Sequence, residues 1–221
     1  MKPVTFEQVR NNTEVKIYIK TSDDSLAAMG FTEHAFAHVG RTADVAGNIL
    51  KAMGRSEREQ ELGKIAGYIH DIGNVVNRAD HAQSGAIMAL RLLDKMGMDP
   101  QETALIVSAI GNHDEATAAP VNAIAAALIL ADKSDVRRSR VRNQNQVTFD
   151  IHDQVNYAVT RSKFNYAPDG DSIVLELTID TSIAPVMTYF EIFMNRMLLC
   201  NKAAAYFGRS FGLVVNGQRL L

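Results

Sequence analysis

The stretch GYIHDIG, residues 67–73, places a histidine and an aspartate, His70 and Asp71, side by side at the end of an apolar run with helical character. Burying an imidazole or a carboxylate costs free energy unless a partner compensates it. Either a partner neutralises this pair within the core, or the pair belongs to a site. The rest of the chain decides between these two interpretations.

Helix signals flank the pair over the first two thirds of the chain. Ser56 with Glu59 is typical of a capping box, and Asp99 before Pro100 indicates another helix start. Apolar residues recur at helical spacing, so we expect five helices with short connections. They are expected over residues 31–53, 56–73 and 80–96, with two more beginning near residues 99 and 120. Such an arrangement predicts a helical bundle.

The apolar stripes of these helices also predict which side chains are buried. Leu90, Leu105 and Val121 each fall on a stripe and are expected to face inward. Residues 14–20 alternate as in a strand but also suit a helix, so their state is left open.

The pattern changes after residue 142. Residues 143–146 are polar, as in a linker, and residues 155–166 and 172–180 resemble strands joined by a turn over residues 167–170. A long helix over residues 183–207, with Met194 and Leu198 inward, is suited to cover that sheet, and the dipeptide at 216–217 marks a closing hairpin. We therefore predict a mainly α fold, with a helical domain over residues 1–142 and a small α+β subdomain over residues 143–221.

Composition excludes several classes of protein. The 221 residues are 47% hydrophobic and 22% charged with a formal net charge of −2, so no general attraction to nucleic acid or membrane is expected. The N-terminal segment lacks an apolar core of signal-peptide length, and the most apolar run, residues 123–131, is too short to span a bilayer. A single cysteine, Cys200, cannot form an internal disulfide. These features predict a cytoplasmic location.

Five of the six histidines precede residue 114 and fall on or beside the predicted helices. They are His34, His38, His70, His81 and His113. His34 and His38 lie one turn apart, His113 extends a buried stripe, and Asp132 continues the apolar face of the fifth helix. Each of the five helices thus carries at least one imidazole or carboxylate, and such a set converges easily in a bundle core.

A structural interpretation competes with this one. A single histidine on an apolar helix face is more often a hydrogen-bonded core residue than a ligand, and the dipeptide His-Asp occurs three times in this chain. His152, near the linker, is assigned a structural or solvent-exposed role. The order of the remaining set on successive helices favours a site. Imidazoles with carboxylates and no thiolate suit iron, manganese, zinc, nickel or cobalt.

Three segments carry a resemblance to a known family. HVGRTADVA at residues 38–46, IHDIG at residues 69–73 and ADKSD at residues 131–135 resemble the H…HD…D signature of the HD-domain metal-dependent phosphohydrolases. The resemblance covers roughly residues 31–140 and implies an HD-type helical bundle. HAQSG at residues 81–85 and NHDE at residues 112–115 fall where two-metal variants of the family place further histidines. The wider pattern is similar to an uncharacterised subgroup of HD hydrolases.

The resemblance implies two divalent transition metals, with iron or manganese preferred to zinc, nickel or cobalt. The implied ligands are His38, His70, Asp71 and Asp132 for one metal and Asp71, His81 and His113 for the other. Asp71 would bridge the two. The chain departs from the cyclic-dinucleotide phosphodiesterase branch, because Asn112 stands where that branch has a paired histidine and residues 115–120 replace its Gly-Tyr-Pro segment. These departures argue against a cyclic-dinucleotide substrate.

Positive side chains near the implied metals are candidates for contacts with a phosphoryl group. Lys133, beside Asp132, is the nearest by sequence. The arginines of residues 137–142 form a basic run whose alternative role is a solvated helix face. His34, one turn before His38, is expected to complete a metal shell, to face the substrate or to donate a proton to the leaving group.

Three functions are compatible with these patterns. The leading one is hydrolysis of a phosphomonoester or phosphodiester, in a nucleotide-like metabolite, by a metal-activated water. Some proteins of the superfamily use the same ligands for a di-iron centre that activates dioxygen, so oxidation is an alternative. The third is a metal-stapled regulatory or binding module. We expect a small phosphorylated substrate as partner, no membrane or nucleic-acid partner, and a homodimer formed through apolar surface of the subdomain.

Overall fold

The structure, a computed structural model, describes residues 3–166 and 170–221. Nine α-helices occupy this part of the chain: α1 (Phe6–Asn11), α2 (Thr13–Ala28), α3 (Phe36–Ala52), α4 (Glu57–Ile69), α5 (His81–Lys95), α6 (Pro100–Gly111), α7 (Ala123–Lys133), α8 (Ile151–Ala158) and α9 (Val186–Tyr206). The strands are β1 (Val159–Tyr166), β2 (Ser172–Ile179), β3 (Ser210–Val215) and β4 (Gln218–Arg219). Short 3₁₀ turns cover Ile72–Val75, Arg138–Arg140 and Gln146–Thr148. The fold is mainly α with a small α+β part, as the sequence predicts.

Helix starts follow the predicted capping signals. The Ser56 hydroxyl accepts the backbone N–H of Glu59, and the Glu59 carboxylate accepts that of Ser56, so the capping box of α4 is confirmed. Asp99 caps α6. Residues 14–20, which the sequence leaves open, belong to α2, because Asn12 caps that helix with its side-chain oxygen.

The helical core is organised around α7. Every residue over positions 123–131 is buried, and α7 contacts α3, α4, α6 and α9. Its alanines let these neighbours approach closely, as dense packing requires. The last turn of α7 therefore carries Asp132 and Lys133 into the same interior.

The four strands form one sheet in the order β1-β2-β3-β4. β1 and β2 are antiparallel, β2 and β3 are parallel and connected by α9, and β3 and β4 are antiparallel. Asn216 and Gly217 have φ angles of 51° and 80°, so the predicted Asn-Gly hairpin turn is confirmed. Phe193 of α9 shares a buried cluster with Leu175 and Leu213 of the sheet, so α9 covers one sheet face as predicted.

One predicted strand begins later than expected. Residues 155–158 form the last turn of α8, and β1 starts only at Val159. The Asp150 carboxylate accepts the backbone N–H of Asp153 at 2.7 Å, which caps α8 and favours the helix. Of the predicted turn over residues 167–170, residues 167–169 lie outside the described residues.

Five apolar side chains that were predicted to face inward are exposed. The exposed fraction runs from 39% for Leu105 to 55% for Leu198, and Leu90, Val121 and Met194 lie between these values. For Leu90, Leu105, Met194 and Leu198 the prediction was wrong because each helix buries a narrower stripe than its apolar residues cover. Val121 is exposed because it precedes α7, which begins at Ala123 after the Asn122 cap. The exposed side chains on α9 supply the apolar surface that the predicted homodimer would use, and the dimer stays a prediction.

The predicted boundary near residue 142 also stays a prediction. One buried cluster contains Leu130 of α7 together with Leu175 of β2, so the two predicted segments share apolar contacts.

Within the described ranges, no helix is both long and apolar enough to cross a bilayer.

Gly73 lies where the turn over Ile72–Val75 meets α5. A Cβ on Gly73 would lie 2.0 Å from the carbonyl oxygen of His81 and 2.4 Å from the nitrogen of Gly85. Gly73→Ala must push the turn and α5 apart, so we expect it to lower the free energy of unfolding by about 1–3 kcal/mol. Gly40→Ala in α3, where an added Cβ meets nothing within 4 Å, should be neutral or stabilising. Urea unfolding of both variants checks this, and equal stabilities would contradict it.

Candidate metal centre

Helix ends bring six candidate ligands together in the interior. They are His38 in the first turn of α3, His70 at the carboxyl end of α4, Asp71 directly after it, His81 at the start of α5, His113 just after α6 and Asp132 in the last turn of α7. These residues form overlapping sets of three in which one ligand atom per residue lies within 4.8 Å of the others. The sequence predicts these six residues as ligands, and the structure places them in one cluster.

Each histidine of this cluster is oriented by a contact at Nδ1. The Nδ1 partners are the carbonyl oxygens of Gly67 for His70 at 2.9 Å, Arg78 for His81 at 3.1 Å and Ile110 for His113 at 2.6 Å. Nδ1 of His38 lies 2.8 Å from the buried carboxylate of Asp135. Because these acceptors hold the ring proton on Nδ1, we assign the lone pair to Nε2, which points into the cluster.

The first group of ligand atoms involves two histidines and two aspartates. Nε2 of His38 lies 3.4 Å from Nε2 of His70, 3.5 Å from Oδ2 of Asp71 and 3.4 Å from Oδ1 of Asp132. Nε2 of His70 lies 3.1 Å from the same Asp71 oxygen and 3.7 Å from the same Asp132 oxygen. Atoms bound at about 2.0–2.2 Å to one metal lie about 3–3.5 Å from one another, so these spacings suit a shared ion.

The second group uses the other oxygen of Asp71. Its Oδ1 lies 3.5 Å from Nε2 of His81 and 3.9 Å from Nε2 of His113. Asp71 thus presents one oxygen to each pair of histidines, as a bridging ligand would. Nη1 of Arg78 lies 3.4 Å from Nε2 of His81, so a guanidinium competes for this nitrogen.

Negative charge is concentrated in the first group. Burial acts to lower the pKa of His70, yet the charge of Asp71 and hydrogen bonds with Asp132 and Asp71 raise it above its usual value. Burial and Arg140 oppose the charged form of His38 in the same way, yet hydrogen bonds with three aspartates raise its pKa. The first group therefore attracts positive charge.

The donor set fits a divalent transition metal. Imidazole nitrogens with carboxylate oxygens, and no thiolate, suit iron, manganese, cobalt, nickel or zinc. With the ring protons on Nδ1, neither His38 nor His70 can donate across the 3.4 Å between their Nε2 atoms. Protonating both would bring two imidazolium charges into contact, whereas one cation satisfies both nitrogens and the facing carboxylates. These buried groups could therefore hold a metal.

Residues 35–144 match the family model of the HD domain. The chain therefore contains an HD domain. The matched residues contain all six candidate ligands, and HD domains bind divalent metals and are commonly metal-dependent phosphohydrolases. A comparison with curated proteins found no match.

A pocket of about 420 Å³ opens at the histidine cluster of the HD domain, and Lys133 and His34 both line it. Nζ of Lys133 lies 2.7 Å from Oδ2 of Asp132. The ring centroids of His34 and His38 are 5.3 Å apart. The structure thus places both predicted catalytic residues beside the cluster, and their roles stay predictions.

The sequence analysis missed part of the pocket wall. Arg78, Arg196 and Asn156 line it, and so does His152, which is exposed as expected but is not remote from the site. His152 and Arg196 belong to α8 and α9, which return over the HD domain from distant parts of the chain. Local sequence pattern carries no signal for such a return.

The arginines of the basic run over residues 137–142 lie in different environments. Only Arg140 lines the pocket of the HD domain; it is buried and donates to the carbonyl oxygens of Glu33 at 2.9 Å and Asp135 at 2.7 Å. Arg142 pairs with Asp23 instead. The alternative role, a solvated helix face offset by nearby acids, does not hold for residues 138–140, because they form a 3₁₀ turn against the protein. Arg142 is exposed and paired with an acid, as that alternative predicts.

The two histidine pairs should respond differently to pH. Carboxylates raise the pKa of His38 and His70, whereas burial lowers the pKa of His81 to about 4. At neutral pH a metal entering the first group must therefore displace a proton, while His81 is already neutral. We expect metal uptake to release about one proton and the apparent affinity to rise between about pH 6 and pH 9. Calorimetric titrations in buffers of different ionisation enthalpy measure both quantities, and an affinity independent of pH would contradict this expectation.

Proposed function

We propose that this HD-domain protein is a metal-dependent phosphohydrolase that cleaves a phosphomonoester or phosphodiester of a nucleotide-like metabolite. The observation that carries the proposal is the composition of one pocket. Candidate metal ligands line it together with four cations, Arg78, Lys133, Arg140 and Arg196. Such cations stabilise the charge that a phosphoryl group carries in its transition state.

The four cations differ in how far their charge is already balanced. Lys133 faces Asp132 at 2.7 Å, and Arg196 donates to Glu115 at 2.5 Å. The hydrogen bonds of Arg140 go to backbone carbonyls, and its Nε lies 3.9 Å from Oδ2 of the buried Asp135, so its charge is partly balanced. Arg78 forms no ion pair with any described carboxylate, and its guanidinium contacts the amide oxygen of Asn74. Arg78 is therefore the proposed first phosphate contact, because its charge is the least balanced of the four. Lys133 is the proposed second phosphate contact and positions Asp132.

When bound, a divalent metal lowers the pKa of a water ligand toward neutrality and polarises a phosphoryl oxygen. The chain supplies the fixed geometry for that chemistry. His38, His70, Asp71 and Asp132 would hold one ion, and Asp71, His81 and His113 would hold a second. The wall from α8 and α9, including Asn156 and Phe193, borders the reacting group and limits its contact with water.

The geometry at His34 bears on its proposed role. Nδ1 of His34 lies 2.7 Å from the carbonyl oxygen of Thr32, so the ring proton is held there and Nε2 carries the lone pair. Burial holds the pKa of His34 well below its usual value, so the ring is neutral near pH 7. In this state His34 accepts a hydrogen bond from water or a substrate hydroxyl. Proton donation to a leaving group requires Nε2 to gain a proton first.

Metal content tests the proposed dinuclear site. Protein purified without chelator or nickel resin should contain about two transition-metal ions per chain. Asp71→Ala, which removes the bridging oxygens, should lose both ions, whereas His81→Ala should lose one, because only the second group uses His81. Elemental analysis per chain measures the count. If the parent protein contains only one ion, the site is mononuclear, and Nε2 of His81 accepts a hydrogen bond from Arg78 and does not bind a metal.

Turnover tests the reaction. We expect the metal-loaded protein to hydrolyse members of a panel of aryl phosphates, aryl phosphodiesters and nucleotides. Lys133→Gln should lower kcat about 10²-fold with the metal content unchanged, because it removes one positive donor at the phosphoryl group. Lys202→Gln is the matched control, since that lysine is exposed on α9. Loss of metal from the Lys133 variant would show that this lysine acts through Asp132 alone.

Two outcomes would contradict the proposed reaction. An iron-loaded protein that consumes dioxygen with its substrate, and hydrolyses no phosphate ester, would assign oxygenase chemistry to the same ligands. A folded, metal-loaded protein with neither activity would favour the regulatory module.

The cytoplasmic location and the homodimer are further proposals. The location rests on composition, and the homodimer rests on the exposed apolar side chains of α9.

A further inference from the structure

A second pocket, separate from the metal centre, is lined by four arginines. It has a volume of about 470 Å³ and lies between α3, the turn over Arg138–Arg140 and β1. The arginines are Arg41, Arg137, Arg138 and Arg161. Among the described residues that line it, the others are hydroxyl residues and none carries a carboxylate. The pocket wall is therefore strongly positive.

Asp135 lies behind this wall. Its single negative charge is shared between several cations, so it cannot neutralise all of them. Oδ1 of Asp135 lies 3.1 Å from Nε of Arg41 and 2.8 Å from Nε of Arg137. Oδ2 of the same side chain faces Nδ1 of His38 at 2.8 Å. Glu33 adds one further contact to Arg137, at 3.4 Å. Two acids thus face two arginines here, but one of these acids also serves the metal centre.

The other two arginines are less balanced still. Nη2 of Arg138 lies 3.8 Å from an oxygen of Asp180, beyond hydrogen-bond distance. Arg161 is exposed, and it forms neither an ion pair nor a side-chain hydrogen bond with any residue in the ranges 3–166 and 170–221. The net charge of the pocket is therefore positive, and Arg161 is free to bind.

The chemistry of the wall indicates the class of ligand. Guanidinium groups bind phosphate oxygens through two parallel N–H donors, and several of them around one cavity favour a ligand with several negative charges. The volume is that of a small-molecule pocket. Nucleic acid fits less well, because the arginines converge on one cavity without forming a stripe and the whole chain has a net charge of −2.

We propose that this pocket binds a small anion that carries a diphosphate group. The proposal does not rest on the phosphohydrolase activity, because it concerns binding at residues outside the metal centre. Asp135 contacts both the arginines of this pocket and His38 of the metal centre. Variants of Arg41 or Arg137 would therefore disturb His38 as well. Arg161, which has no other described partner, is the position that tests the pocket alone.

Binding of inorganic pyrophosphate to the purified protein in 0.15 M NaCl tests the proposal. Arg161→Ala should weaken binding about tenfold, because it removes one charge-assisted contact. Arg161→Lys should weaken it less, since the charge remains but the paired donors are lost. Lys163→Ala is the matched control: this lysine is exposed on the same strand but does not line the pocket, so the affinity should not change.

Binding at the metal centre is resolved in the titration as a separate class of sites, and the affinity of the other class is the quantity compared between the variants. Equal affinities of the Arg161→Ala and Lys163→Ala proteins would overturn the proposal, as would the absence of any binding outside the metal centre. A single-stranded RNA oligomer that binds far more tightly than pyrophosphate, with the same dependence on Arg161, would overturn it in favour of a nucleic-acid surface. Failure of the phosphohydrolase assay would leave the result of this experiment unaffected.

Discussion

The two oxygens of Asp71 impose the constraint on which the rest of the structure depends. One oxygen faces His38 and His70, and the other faces His81 and His113. The Nε2 lone pairs of these four histidines and the carboxylate of Asp71 are all hydrogen-bond acceptors. They therefore cannot form hydrogen bonds with one another in the buried interior. The arrangement is stable with cations in it, whether protons or metal ions, and the surrounding helices must hold the acceptors together.

The fold meets this constraint with small residues at the helix contacts. A Cβ on Gly67 of α4 would lie 2.8 Å from Cα of Ala43 in α3, and one on Gly73 would meet the backbone of α5. These contacts let the helices approach closely enough for their ends to share one cluster. The alanines of α7 have the same effect at the centre of the bundle. Packing and chemistry are therefore linked, since the residues that permit close approach lie beside the candidate ligands along the chain.

The sequence predicts what depends on neighbouring residues and misses what depends on distant ones. The capping box at Ser56 and the Asn216-Gly217 turn were predicted correctly because the backbone geometry follows from two or three adjacent residues. The six clustered side chains were chosen because three segments of the chain resemble the H…HD…D signature of the HD-domain family, and the placement of histidines and aspartates on successive helices agreed with that resemblance. The start of β1 was misplaced because the Asp150 cap extends α8 through residues 155–158, which the sequence analysis had assigned to a strand. Arg196 and His152 were not assigned to the pocket, since their place depends on how α8 and α9 pack against the HD domain.

Asp135 shows how electrostatics connects parts of the chain that the sequence does not connect. Its carboxylate is fully buried, and it orients His38 while it faces Arg41 and Arg137 on the other side. The arginines stabilise its negative charge, and Asp135 in turn fixes the ring of His38 and increases the basicity of its ligand nitrogen. Without the arginines, a buried carboxylate would tend to take up a proton and would orient His38 less strongly. The basic wall of the second pocket is thus also part of the support of the metal centre, which gives a physical reason for two arginines to face the carboxylate that orients His38.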